Sequence, residues 1–392
     1  MQRPEWLRLG WPPSGPMAAA MAGVLAVAVG GGALISQGLD GRPVAEASPA
    51  STPRLTPGAS WSPTPRPTPV TPAPTPSPTP VVACPLNGLP ADDPALLDDP
   101  ALAVQIENHP AARPARNLAN ADMVIEATVE GDVTRYTGIY LCRRIDGLTG
   151  PVRSARYYSI DLWQDLHVLP FFFGAGNEAV GRFRDAGMPF VNGITGEWPY
   201  FHRAGTALAP HNLYADLEAA RSAFGTDARL QSLAARVDEL RPPFTFAEQS
   251  MPTGRPIRHL EIWTNGFWHF GWSWNAGGRR WERSEAGVPH VDVATEAVIA
   301  ARTVVVQLVR EDVVTISRDP GGNPRRYHHL VGSGRGVLYV DGRAIELAWS
   351  RPSAEDGTTW TYADSGDPVV LPPGVVWWEI VPLWTRLVET AG

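Results

Sequence analysis

The order of apolar and polar positions divides the chain into three stretches of different character. Residues 17–35 form a run of nineteen without a charge or a strongly polar side chain. As a helix this run would be roughly 28 Å long, close to the hydrocarbon thickness of about 30 Å. Arg3 and Arg8 precede it, which places the N-terminus inside. The pattern predicts a cytoplasmic N-terminus at 1–16 and a transmembrane signal anchor at 17–39. A cleaved signal peptide competes, but its apolar core usually spans about 7–15 residues. The small-x-small triplet Ala45-Glu46-Ala47 also lies ten residues beyond the run. Gly30-Gly31-Gly32 weakens the helix. Residues 40–83 then hold proline, serine, threonine and alanine with almost nothing to bury. The Thr-Pro alternation of 53–80 predicts an extended polyproline linker, disordered as a fold, reaching on the order of 85 Å. Its Ser/Thr/Pro character suits O-glycosylation outside the cell.

Beyond residue 84 the periodicities alternate. Residues 101–107 read as a strand, and 122–130 with 133–142 as a hairpin around Gly131-Asp132. Residues 158–164, 177–186 and 216–240 have helical spacing, and 167–173 is a short apolar strand. The proline-rich stretch 241–256 marks a boundary, after which ten of the fifteen tryptophans fall. Strand-like runs dominate there, at 260–264, 303–309, 336–340 and 375–381. The predicted class is α+β: an N-terminal mixed α/β layer domain at 84–245, then a mainly β, Trp-rich C-terminal domain at 255–392.

Charge narrows the partners. Residues 1–83 hold five arginines and three acids, +2, so the remainder carries −9 of the net −7. An acidic folded part argues against nucleic acid, which needs a broad basic surface. The sequence contains no lysine, so Schiff-base chemistry is excluded and every fixed cation is a guanidinium. The two cysteines, Cys84 and Cys142, cannot close a thiolate zinc site without several histidines, and no metal or cofactor is expected. In an oxidising compartment they are candidates for one disulfide. Val82-Ala83-Cys84 has the look of a lipidation site, but about 48 residues separate it from the apolar run that should directly precede it.

Several motifs together resemble the YerB-like family of bacterial envelope proteins, a domain of unknown function (DUF3048) with its own C-terminal domain. In the first half they are Cys84-Pro85-Leu86-Asn87-Gly88-Leu89, Glu107-Asn108-His109-Pro110, Ala121-Asp122, Thr134-Arg135, Gly150-Pro151-Val152-Arg153-Ser154-Ala155-Arg156 and Ala209-Pro210-His211-Asn212. In the second they are Val304-Val305-Val306-Gln307, Gly332-Ser333-Gly334, Trp349-Ser350-Arg351 and Leu371-Pro372-Pro373-Gly374. The resemblance covers 84–392. It implies a fold and an envelope location and assigns no activity. Many members of the family look like lipoproteins, where this chain is expected to carry an anchor and a stalk.

A two-residue turn at Gly131-Asp132 would pair Thr128 with Arg135 and Glu126 with Thr137. Glu126, Thr128, Glu130 and Arg135 would then share one face and Ile125, Ala127 and Val129 the other. Arg153 and Arg156, three apart ahead of a helix, can converge with Arg135 on a phosphate or carboxylate. His109, His211 and Asn212 sit in proline-bounded loops and supply acid–base candidates. The alternatives are a solvated carboxylate face and a buried ion-pair network. Ser154 has no base placed by sequence, His328-His329 is too isolated to claim a metal, and Trp263, Trp268, Trp272, Trp274 and Trp281 read as core more readily than as a sugar platform. No nucleophile elbow, HExxH or phosphate loop occurs. The expected protein is therefore single-pass in the cell membrane, held through 17–39 with its domains extracytoplasmic. Its arginine-lined cleft is expected to bind an anionic envelope polymer, lipid head group or envelope protein. The alternative is an enzyme acting on a phosphate-containing or glycan substrate at the same cleft.

Overall fold

The computed structural model describes residues 82–392 except 197 and 320, together with the side chains other than those of 315–317. The expected N-terminus at 1–16, anchor at 17–39 and all but the last two residues of the linker lie outside this range. No helix among the described residues is long and apolar enough to cross a membrane.

The described chain is mostly β, with four short α-helices. Its first half supplies β1 (Leu102–Glu107), β2 (Met123–Thr128), β3 (Thr134–Tyr140), α1 (Ser159–Leu166), β4 (Leu169–Phe172), α2 (Asn177–Asp185) and β5 (Val191–Asn192). Where sequence spacing predicted one helix over 216–240, the chain forms α3 (Leu217–Ala223) and α4 (Ala228–Ala234). Asp227 breaks the run by accepting from the Arg229 and Leu230 amides, so its side chain starts a new helix instead of continuing the old one.

The second half supplies β6 (Arg255–Trp263), β7 (His269–Asn275), β8 (Arg280–Glu285) and β9 (Thr303–Val309). It continues with the hairpin β10 (Glu311–Arg318) and β11 (Pro324–His328), which periodicity did not predict. The last strands are β12 (Gly332–Val340), β13 (Arg343–Arg351), β14 (Val376–Pro382) and β15 (Arg386–Ala391). Both halves join one mixed sheet of sixteen strands, in which β14 pairs parallel to β9 on one side and to β2 on the other. Beyond β2 the sheet continues through β3, β1, β4 and β5.

Successive residues on a strand point to opposite faces, so a continuous apolar run fills both sides of a central strand. In β14, Trp377 packs with Val124, Tyr136, Trp272 and Trp281 on one face. Trp378 meets Phe244 and Trp360 edge-on on the other, in the core that also holds Ile125 and Leu338. All five tryptophans weighed as a sugar platform are half-buried or buried, with Trp272 and Trp281 wholly inside.

Cys84 and Cys142 form a disulfide with their Cα atoms 5.7 Å apart. Beside it, Asp122 accepts the Leu141 and Cys142 amides at 2.7 and 2.8 Å and the Asn87 side chain at 3.2 Å. The Cys84–Gly88 turn is thereby pinned to the far end of β3. Gly88 is required there, because its φ is +70° and a Cβ would come within 2.6 Å of Phe246.

Candidate functional site

The turn between β2 and β3 decides which carboxylate meets which arginine. It contains three residues, Glu130–Asp132, closed by the Val129 amide on the Val133 carbonyl at 2.8 Å, with Gly131 and Asp132 at positive φ. One more residue than the expected two shifts the register by one, so Arg135 lies opposite Ala127 and Glu126 opposite Tyr136. A one-residue slip turns a side chain to the other face. Glu126 therefore does not share a face with Arg135, which corrects the sequence expectation.

The face that Arg135 does occupy opens into a cleft of about 570 Å³ at the ends of β1 and β3. Arg135, Arg153 and Arg156 all line it, with Glu130, His109 and His211. The segment carrying the two later arginines is extended: the Arg153 amide bonds the Gln105 carbonyl and the Phe173 amide bonds the Arg153 carbonyl. It then turns into α1, where the Ser159 hydroxyl accepts the Arg156 amide at 2.9 Å. Gly174, Ala175 and Gly176, leading into α2, complete the wall, and no side chain caps that helix. Asn212 is not in the wall; its side-chain oxygen Oδ1 accepts from Arg203 at 2.7 Å.

A fourth guanidinium comes from the unpredicted hairpin. Arg325 at the start of β11 reaches Glu130 Oε1 at 2.9 Å, while Arg156 Nε reaches Oε2 at 2.6 Å. Burial raises the Glu130 carboxyl, but Arg156, Arg135 and Arg325 outweigh it and hold it at about 2. Glu107 is likewise divided between Arg153 (3.0 Å) and His211 (3.0 Å). Arg135 is placed differently. It is 6% exposed, donates to the Ser154 carbonyl at 2.8 Å, and its Nε has no partner among the described residues. Burial first, then Arg156, pulls its guanidinium well below the usual arginine range. The wall carries four arginines against Glu107, Glu130 and Asp319, one positive charge in excess. Such a wall favours an anion with several oxygens. His109 accepts the Ala111 amide and stacks on His211 with ring centres 5.2 Å apart, and burial lowers its pKa.

Across the sheet, Glu126 belongs to a separate buried network. Arg283 reaches Glu126 and Glu285 at 2.8 Å each, Trp377 donates to Glu126 at 3.0 Å, and Glu379 stands directly opposite on β14. Sequence could not show this, because the partners lie about 157 and 251 residues away. Burial, aided by Glu285, pushes Glu126 up to about 7 against the pull of Arg283. Its folded pKa is above the unfolded value, so its contribution to stability is full below about 4.5 and is lost as pH rises through about 7. Glu126→Gln should match the wild type at pH 5 and exceed it by about 2–3 kcal/mol at pH 8. Urea unfolding at the two pH values reads this directly; parallel curves would refute it.

Comparison with known proteins follows the same division of the chain. A family model described as the N-terminal domain of a protein of unknown function (DUF3048) matches residues 86–230, and its C-terminal counterpart matches 259–378. A curated protein named "Putative lipoprotein YerB", from Bacillus subtilis (strain 168), is 26% identical over 306 residues, covering 76% of this chain and 86% of that protein. The crystal structure of YerB protein from Bacillus subtilis matches with a TM-score of 0.64 at 26% identity, over 78% of this chain and 99% of that one.

Proposed function

The chain belongs to the DUF3048 family, and from that premise we propose that it is a membrane-anchored extracytoplasmic protein whose arginine cleft binds an anionic component of the cell envelope. The relative's name as a lipoprotein supports the location, as does the apolar run at 17–35. The observation that carries the binding is Arg135. A guanidinium this deeply buried normally has a carboxylate partner. Here no carboxylate among the described residues lies within ion-pair distance, and a free donor remains beside a 570 Å³ cleft. A phosphate or carboxylate group would supply the missing charge and accept that donor, with Arg153 and Arg156 at its sides.

Arg153→Ala on the full chain tests this. The Arg153 side chain is 26% exposed and Glu107 keeps the His211 N–H when it is removed, so the fold should stay intact, with a loss well short of the roughly 3–5 kcal/mol of a fully stranded buried charge. Affinity for phosphate or pyrophosphate, read by calorimetry, should fall at least about tenfold, the size of one lost charge-assisted hydrogen bond. Equal affinity in variant and wild type, or no anion binding by either, counts against the proposal.

A further inference from the structure

The anion cleft contains an arrangement that binding alone leaves unused. Glu107 is 3% exposed and presents its two oxygens to different groups, Oε1 to Arg153 Nε and Oε2 to His211 Nδ1, each at 3.0 Å. The carboxylate accepts from Nδ1–H, which leaves Nε2 as the ring nitrogen with a lone pair. Stacking on His109 at an interplanar angle of 16° holds the ring plane. Arg153 and His211 meet the same carboxylate, so they are neighbours in the cleft wall, and an anion bound to one lies beside the other.

We infer that Glu107 and His211 form a general-base pair and that the cleft hydrolyses a phosphoanhydride, a reading that rests on the anion-binding proposal above. His211 Nε2 takes a proton from water as the water oxygen bonds to the terminal phosphorus. The bridging P–O bond breaks, and its electron pair leaves on the second phosphate. The imidazolium then passes its proton to a released phosphate, which restores the neutral ring. One diphosphate and one water give two phosphate groups. The arginines oppose the charge that develops on both phosphates. An anhydride suits the site better than a simple ester because its leaving phosphate departs as an anion, whereas an alkoxide needs a proton donor. The lining acids are poor donors: Glu130 is held ionised by its arginines, Glu107 is engaged on both oxygens, and Asp319 accepts the Asn323 backbone and side-chain amides.

The test uses the full chain with inorganic pyrophosphate, following phosphate release and, in parallel, binding by calorimetry. Wild type should release phosphate. His211→Gln should lose about 100-fold or more in kcat with KM little changed, the usual size of a general-base effect. Glu107→Gln should lower kcat less and move the acid limb of the pH profile to lower pH, because it leaves the imidazole in place without the carboxylate that favours its cation. Wild type that binds pyrophosphate without releasing phosphate overturns this inference and leaves the binding proposal standing. Absence of binding overturns both, and a fully active His211→Gln overturns the assignment of the base.

Discussion

Replacing Arg283 with alanine is expected to destabilise the protein by about 3–5 kcal/mol at pH 8, the typical cost of removing one partner from a buried ion pair. Arg283 has no exposed side-chain surface, and its guanidinium lies 4.3 Å from the Phe270 ring centre as well as on two carboxylates. Glu285 would not be stranded, because Arg113 reaches its second oxygen at 2.9 Å. Glu126 would be: it keeps the Trp377 indole and the Thr134 hydroxyl but no cation, and it faces Glu379, which burial already pushes well above the ordinary carboxyl range. A stranded carboxylate escapes its desolvation cost by taking up a proton. The destabilisation should therefore be smaller at pH 5 than at pH 8. Denaturant unfolding at both values checks it, and an equal cost at the two would mean that Arg283 acts through packing alone.

The double substitution Cys84→Ala/Cys142→Ala is expected to cost about 4 kcal/mol in the chain-entropy model, which rewards closing a long loop. The bridge spans 58 residues and ties the first turn of the described chain to the residues following β3. Both cysteines are 1% exposed, so alanine adds a small cavity term and leaves no buried hydroxyl. Asp122 still holds the Leu141 and Cys142 amides, so the local geometry has other support. The loss should thus appear in global unfolding, and reducing agent should produce the same shift in the wild type. A change below about 1 kcal/mol would show that the unfolded chain gains little freedom when the bridge is absent.

Only part of the arginine site was legible along the chain. Arg153 and Arg156 share one short motif, and its extended backbone followed by a helix brings both side chains to one wall. Glu130 came to the same wall because it belongs to the turn itself, whichever way the strand faces. Glu126 did not, because one added turn residue reversed its face. Turn length changes the register without altering strand periodicity, so period-two reasoning was blind to it. Arg325 stood among other arginines with no pattern to distinguish it, and reaches Glu130 from 195 residues away.

Strand periodicity, the proline-bounded histidine loops and the two lone cysteines are local signals, carried by backbone preference and by side-chain type. These alone determined a mixed α/β first half and a β-rich second half, the candidate histidines and the pair of sulfurs. The tertiary structure decided the rest: the parallel pairing of β14 with β2, the opposite fates of Glu126 and Glu130, and the lack of a carboxylate partner for Arg135 among the described residues. Those outcomes depend on which charges finally share a low-dielectric space. That is a property of the assembled sheet, because desolvation acts on a group only once distant segments have closed over it.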